Sequence, residues 1–395
     1  MTGRSVPLLR VALLVLLAAG IAYLETQRPF GSFRLLTFFL GFLLFADATS
    51  LARGLLRDCL LIVTSLFLGL SLIEAVASIS NHESGLTTSP GFVAHVPVMG
   101  WGPAHAGQFH AKRVDEYHPG KTIYNAVYTI NSNLLRETKS CETCETIAFF
   151  GGSFTFGEGL NDANTLPQAF ADSLDRKVRV LNLGFSGYGP EHFLRELETG
   201  RFDKVIGHPK LVIFLTAPWH AERTSCKAYW VLDGPRYTLE NGRPVYRGQC
   251  FQGAVAGLRA WAQHSAAYRA YVEPYLQRVN HGDIDLYIRI LVAATQLTKE
   301  KYGAPTIIPF LRVPAAYLKS TGFTNDEIIK RLQDGGAYVV DVSLAREIAA
   351  GAPLRIPGDG HPTALANRLR ATILKDYLTQ HFAALLPPQQ AQASP

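Results

Sequence analysis

The sequence contains no run of lysine and arginine and no stretch in which basic and aromatic residues interleave, so nothing in it points to nucleic acid. Its net charge of +6 over 395 residues is modest, and arginines beside apolar blocks near the N-terminus account for much of it. There is no internal repeat. The glycine-rich stretch from Phe149 to Leu160, FFGGSFTFGEGL, carries no lysine and fits neither GxxxxGK[ST] nor GxGxxG, which argues against a phosphate cradle there.

Cysteine is also scarce. Cys59 lies at the edge of an apolar block, and only Cys141, Cys144, Cys226 and Cys250 fall in the polar part of the chain. Between the last two, AYWVLDGPRYTLENGRPVY places β-rich runs on either side of an Asn-Gly turn, so a hairpin would bring Cys226 and Cys250 together as a disulfide. SCETC can close a small disulfide loop between Cys141 and Cys144, supply half of a zinc site, or stay reduced. A zinc site would need all four cysteines to converge, and no flanking histidine pattern supports it, so no metal is expected. Two disulfides would fit an oxidising compartment.

What the sequence has in surplus is apolar residues, 48% overall and unevenly spread. Three blocks stand out: Val11 to Leu24, Leu35 to Ala52, and Leu60 to Ile79. The third has the roughly 20 residues that a helix needs to cross hydrocarbon. The first is shorter and begins beside Arg10, so a cleaved signal peptide with Gly20 and Ala22 near the cut is the alternative there. The second contains Asp47, expensive in lipid unless it faces a partner helix. Asp47 and Glu74 would form a functional pair or serve helix packing. With three spans and a cytoplasmic start, Arg4, Arg10, Arg53 and Arg57 lie inside against Arg28 and Arg34 outside, which leaves the large C-terminal part extracytoplasmic. The expected localisation is therefore a multi-pass inner or plasma membrane protein, with the bilayer as one partner.

After the blocks the chain reads as four parts: a membrane region over 1–80, a lead-in over 81–145 with a strand at Thr122 to Ile130, a domain over 146–385 with a hairpin insertion near 226–250, and a disordered tail over 386–395. In the domain, the strand-like runs TIAFF, VRVLNLGF, LVIFLTA, PTIIPF and AYVVDV alternate with helical stretches such as LPQAFADSL and PTALANRLRATILKDYL. Strands apolar on both faces and joined by crossover helices imply a parallel sheet in a three-layer α/β/α domain.

In such sheets sites form at the carboxyl ends of strands, and Ser153 follows TIAFF there. It is either a helix cap or a nucleophile whose neighbouring amides face an oxyanion. About 200 residues on, PGDGHPTALANRL places Asp359 and His361 two apart, so that a carboxylate can orient an imidazole, with Pro362 starting the last helix. Alone, this pair also reads as a turn.

Together GGSFTFGEG, LNLGFSGYGP and DGHP, in this order and spacing over about residues 146 to 380, resemble the blocks of the SGNH or GDSL-like hydrolases, and YTINSNLLR is similar to the preamble of membrane-anchored members. The resemblance implies the flavodoxin-like fold of that family, Ser153 as nucleophile, His361 as base, Asp359 as its orienting carboxylate, and the amides of Ser153 and Gly187 as oxyanion donors, with no cofactor. Two positions depart from the pattern. Gly-Gly-Ser replaces Gly-Asp-Ser, and after LVIFLTAP the expected Asn is replaced by Trp219 and His220, which either pack or supply the third oxyanion donor. The implied function is a membrane-anchored extracytoplasmic esterase acting on an ester-bearing small molecule, lipid or envelope glycan. An O-acyltransferase of cell-envelope polysaccharide and a catalytically weak binding or assembly module are the alternatives. The oligomeric state is not legible in the sequence.

Overall fold

A computed structural model describes residues 5–29, 33–80, 85–115, 118 and 120–386. Apart from Leu386, the tail expected to be disordered lies outside the described residues. The chain divides into two compact units, Met1–Ser84 with Gly253–Gln277, and Gly85–Gln252 with Arg278–Pro395. The lead-in therefore belongs with the larger domain, and Gly253–Gln277, expected inside that domain, groups with the N-terminal helices. Its ties there are polar ones, which apolar periodicity does not register.

The first unit contains α1 (Ser5–Gln27), α2 (Phe33–Leu51) and α3 (Gly54–Ser80). All three are long and apolar enough to span a bilayer, with mean hydropathies of 2.1, 1.5 and 2.3 over their apolar stretches. α2 and α3 meet closely at Gly41, where a Cβ would stand 2.4 Å from the Phe67 ring. Glu74 is buried, but it does not pair with Asp47. It accepts hydrogen bonds from Ser265 Oγ and the amides of Ala266 and Ala267 instead.

The second unit opens with short strands, β1 (Leu86–Thr88), β2 (Ala94–Val96) and β3 (Gly100–Gly102), followed by β4 (Gly107–Val114) and β5 (Thr122–Ile130). β1, β4 and β5 form an antiparallel sheet. β4, GQFHAKRV, escapes a hydrophobicity reading because its outward positions are polar and only Phe109 and Ala111 are buried.

The main sheet is built from β6 (Thr146–Phe150), β7 (Arg179–Asn182), β8 (Leu211–Phe214), β11 (Thr306–Phe310) and β12 (Tyr338–Asp341), while β9 (Pro235–Glu240) and β10 (Arg243–Gln249) form a hairpin turning at Asn241 and Gly242. Both turn residues have positive φ, 49° and 75°, which is the backbone a two-residue Asn-Gly turn supplies.

The main sheet is all parallel in the order β12-β11-β8-β6-β7, and every residue of β6, β8 and β11 is buried. Alternation along the strands fills two apolar layers. Ala148, Phe150, Val212, Phe214, Ile308 and Phe310 face the helices Pro190–Thr199, His281–Tyr302 and Asn325–Asp334. Ile147, Phe149, Leu211, Ile213 and Ile307 face Leu166–Ser173 and Ala364–His381. This is the three-layer α/β/α domain expected from the sequence. From β6 the chain steps to β7 on one side and to β8 on the other, so the carboxyl end of β6 is a topological switch point, where such sheets place their sites.

Candidate active site

The turn after β6 depends on glycine at two positions. Gly151 has φ 152°, and a Cβ there would stand 2.2 Å from Thr155 Oγ1. Gly152 is extended and precedes the one-turn helix Ser153–Phe156, which Gly157 closes in the left-handed region. The fold thus places Ser153 at the first helical position beyond the central strand. Ser153 is 5% exposed, and its hydroxyl has no hydrogen-bond partner among the described residues.

The neighbouring amides match that placement. Neither Ser153 N–H nor Gly187 N–H donates to a protein acceptor among the described residues. Gly187 sits at φ 84° in the turn after β7, and its carbonyl accepts a 3.3 Å bond from the Trp230 indole. Asn182 ties this turn to the Ser153 loop, donating to Thr155 O at 3.1 Å and accepting from Gly184 N at 3.1 Å. The antiparallel sheet braces the same loop from outside. Tyr128 Oη accepts from Gly159 N at 2.8 Å, and the buried Arg136 donates to Asp162 Oδ1 at 2.7 Å and to Leu160 O at 2.8 Å.

Asp359 and His361 lie in a tight turn with Gly358 and Gly360 at φ 80° and 90°. Pro362 does not start the last helix: it pairs with Arg355 in an isolated bridge, and the helix begins at Ala364, where the Thr363 side chain caps it by accepting from Ala366 N. Asp359 Oδ1 lies 2.5 Å from His361 Nδ1, and Asp359 Oδ2 lies 2.6 Å from Arg113 Nη1. Burial alone would raise the Asp359 pKa, but the hydrogen bond from His361 and the charge of Arg113 outweigh it and hold this carboxyl below the usual range. For His361, burial lowers the pKa, and the bond to Asp359 together with the charges of Glu158 and Asp359 more than reverses this, so its pKa is raised.

The other ring nitrogen, Nε2, faces Glu158 Oε2 at 3.7 Å, and no hydrogen bond joins His361 to Ser153. The residues flanking Ser153 do reach the imidazole. The Phe154 ring lies 5.6 Å from the imidazole, and Glu158 N donates to Ser153 O at 3.0 Å.

Of the residues that replace the expected Asn, Trp219 is half-buried with its ring 6.1 Å from Phe154. Its indole N–H has no acceptor among the described residues. His220 is buried with Nδ1 3.0 Å from Thr216 Oγ1, which itself lies 3.1 Å from Tyr287 Oη. Burial, then the charge of Arg223, pushes the His220 pKa down and keeps the ring neutral.

Sequence reasoning did not single out Arg223, Glu158 or Arg113. Arg223 lies on the short helix Ala221–Thr224 beyond β8, is 9% exposed, and donates through Nη1 to Tyr188 O. Its guanidinium also lies 5.6 Å from the Trp230 ring, and no carboxylate forms an ion pair with it among the described residues. At Gly152 a Cβ would stand 2.6 Å from Arg223 Nη1 and 2.6 Å from Tyr188 O. The space that an aspartate before Ser153 would fill is therefore taken by a guanidinium, which ties the Gly-Gly-Ser departure to Arg223. The only trace of this in the sequence is the coincidence of a missing aspartate with an arginine shortly after the third block.

Cys226 is bonded to Cys250 and Cys141 to Cys144, so the four sulfurs are not available as a zinc site. No cluster of three or more metal-ligating side chains occurs among the described residues.

No family model and no curated protein matches the chain. Among solved structures it is similar to a member of the lipolytic protein G-D-S-L family from Veillonella parvula, at 14% identity over 61% of this chain and 99% of the other with a TM-score of 0.37. It is also similar to the esterase EstA from Pseudoalteromonas sp., at 15% identity over 60% and 97% with a TM-score of 0.37. A third is a carbohydrate acetylesterase family member from Sinorhizobium meliloti, at 12% identity over 60% and 98% with a TM-score of 0.32.

Proposed function

We propose that the chain is a membrane-anchored serine hydrolase that cleaves ester bonds outside the cytoplasm. The observation that carries this reading is the pairing of Ser153, set at the switch point beside two amides without acceptors, with an imidazole held by a buried carboxylate on the adjoining turn. These are the groups that acyl transfer needs.

Ser153 Oγ attacks the ester carbonyl while His361 Nε2 takes its proton. The negative charge that develops on the carbonyl oxygen is met by the amides of Ser153 and Gly187. Collapse of the intermediate breaks the bond to the alkoxy oxygen, which leaves as an alcohol with the proton from His361. Water, activated by the same imidazole, then releases the acid and restores Ser153. Asp359 holds the ring in the tautomer that leaves Nε2 free to accept, and Arg113 anchors Asp359 through its second oxygen.

Arg223, which donates to Tyr188 O and lies against Gly152, puts a positive charge beside the loop that carries Ser153, where the missing Asn would have supplied a hydrogen-bond donor. Burial lowers its pKa, yet a guanidinium stays charged at any pH relevant to turnover. His220, fixed by Thr216, positions the start of the helix that carries it. Glu158 Oε2, 3.7 Å from His361 Nε2, adds a negative charge beside the base.

Two disulfides in the larger unit and the arginine bias around the spans support the extracytoplasmic placement. The test is to incubate the detergent-solubilised full chain with a short-chain aryl ester and with a fluorophosphonate probe. Ester release and labelling that both vanish in Ser153→Ala support the reading, and labelling unchanged in that variant rejects it. Adding an acceptor sugar to the same assay separates transfer from hydrolysis.

A further inference from the structure

The segment Gly253–Gln277 interrupts the larger domain between β10 and the helix His281–Tyr302 but packs with the membrane helices. Its attachments are specific. Trp261 Nε1 donates to Glu25 Oε2 at 3.1 Å, and Trp261 O accepts from Arg34 Nη2 at 2.9 Å. The Arg34 guanidinium lies 3.9 Å from the centre of the Trp261 ring and pairs with Glu25 at 2.7 Å. Arg28 Nη1 meets His264 Nε2 at 2.8 Å. The buried Glu74 carboxylate accepts from Ser265 Oγ at 2.6 Å, Ala266 N at 2.6 Å and Ala267 N at 3.1 Å, satisfying amides that open the next helical turn.

These anchors share one end of the bundle. Glu25 is close to the end of α1, Arg34 is the second residue of α2, and Glu74 lies near the end of α3, which runs antiparallel to α2. At 1.5 Å per residue, Glu74 is within about 10 Å of its helix end. The segment is thus pinned at the end of the bundle where α1 and α3 finish and α2 begins.

Its outer surface is apolar. Val255, Leu258 and Trp261 recur every third residue of the helix Gly253–Gln263, and no residue of that helix is buried. Val255 and Leu258 are 61% and 65% exposed. Beyond the bend, Tyr271, Val272, Tyr275 and Leu276 repeat at helical spacing and are all exposed, Tyr275 by 67%. Six large apolar or aromatic side chains facing water, beside a Trp261 that is 44% exposed while held by Arg34 and Glu25, would be a liability, whereas Trp and Tyr beside aliphatics are what a bilayer interface favours. Arg259 and Arg269 are the basic residues of the segment, and its only acid, Glu273, is buried and accepts from Gln263 at 3.2 Å. Two arginines against one glutamate leave the segment a formal charge of +1.

We propose that Gly253–Gln277 is an interfacial helical hairpin lying in the plane of the membrane, with its apolar outer face in lipid. It is a surface anchor additional to the three spans and independent of the chemistry at Ser153. Continuity with the spans, through anchors at a single end of the bundle, favours lipid over a protein partner.

The test uses the full chain in lipid nanodiscs, in a Cys59→Ser background that leaves the disulfide cysteines blocked. Leu258→Cys and Tyr275→Cys are each labelled with an environment-sensitive fluorophore, and Lys330→Cys, on a side chain 73% exposed in the larger domain, is the reference. The expected result is blue-shifted emission at both test positions, most of it lost when headgroup-proximal nitroxide lipids are added and less lost with mid-chain nitroxide. Red emission as unquenched as the reference overturns the proposal. Blue-shifted emission that no lipid quencher reaches also overturns it and assigns the face to a second copy or a protein partner. Quenching stronger from mid-chain than from headgroup lipids overturns it in favour of a fourth buried segment.

Discussion

The two arms of the candidate site are held by different physics. The serine arm, Gly151 to Glu158, is placed by shape: a buried strand, two glycines whose missing side chains admit Thr155, Arg223 and Tyr188, and a short helix closed by Gly157. The histidine arm, Gly358 to His361, is placed by charge, in a chain that runs from Arg113 through Asp359 and His361 to Glu158. An arm built by packing tolerates pH and fails on added volume. An arm built by charge tolerates volume and responds to protonation and to removal of a partner.

The largest effects test whether the arms form one machine. Ser153→Ala should reduce ester turnover to background, a loss of up to about 10⁶-fold. Asp359→Asn should lose about 10⁴-fold by stabilising the wrong tautomer. Ser153→Ala should leave thermal unfolding within a few degrees of wild type, read by circular dichroism, whereas Asp359→Asn, which strips Arg113 of its buried partner, should unfold at a lower temperature. If Asp359→Asn retained full activity, the arms would not be coupled.

Next comes the contact between shape and charge. Arg223→Gln should lower kcat by about 10² to 10³-fold with little change in KM, the signature of a group that acts in the transition state. Arg223→Lys should recover part of the loss. Equal falls in kcat and melting temperature for both variants would make Arg223 a packing residue. On the shape side, Gly152→Ala places a methyl group against Tyr188 O and Arg223, and should cost about 1–3 kcal/mol in urea unfolding. Since φ at Gly152 is −91°, the cost is one of crowding and not of backbone strain.

The smallest effect belongs to the charge arm alone. His361 must be neutral to act as a base, and its pKa is raised, so the rate should rise with pH through a value above the roughly 6.5 of free imidazole. Glu158→Gln removes one of the charges that raise it. The rising limb of the kcat/KM profile should therefore move to lower pH, while the plateau rate changes less than the position of the limb. A limb that stays in place would show that Glu158 does not act on the base.

Much of this was legible in the chain. The strands β6, β8 and β11 are apolar at every position, and only a sheet covered on both faces buries such runs, so the three-layer architecture follows from composition and spacing. Ser153 after the first of them, and Asp359 two residues before His361, were visible as local patterns. The hairpin between Cys226 and Cys250 was visible because Asn-Gly turns carry their conformation in the dipeptide itself.

Local pattern, however, cannot report what distant residues bring to the same place. Arg113 reaches Asp359 from β4, a strand hidden by its polar outer face, across 246 positions of sequence. Arg223 shows its meaning only once its guanidinium is seen in the space left by Gly152. His361 facing Glu158 is likewise a fact of tertiary geometry. The docking of Gly253–Gln277 on the three N-terminal helices rests on Glu74, Arg34 and Glu25, which in the sequence are isolated charges in or beside apolar blocks. Apolar periodicity is written in the order of residues because burial repeats with the geometry of each element. Polar partnerships are decided by the fold, because a buried charge needs one specific partner and any segment of the chain can supply it.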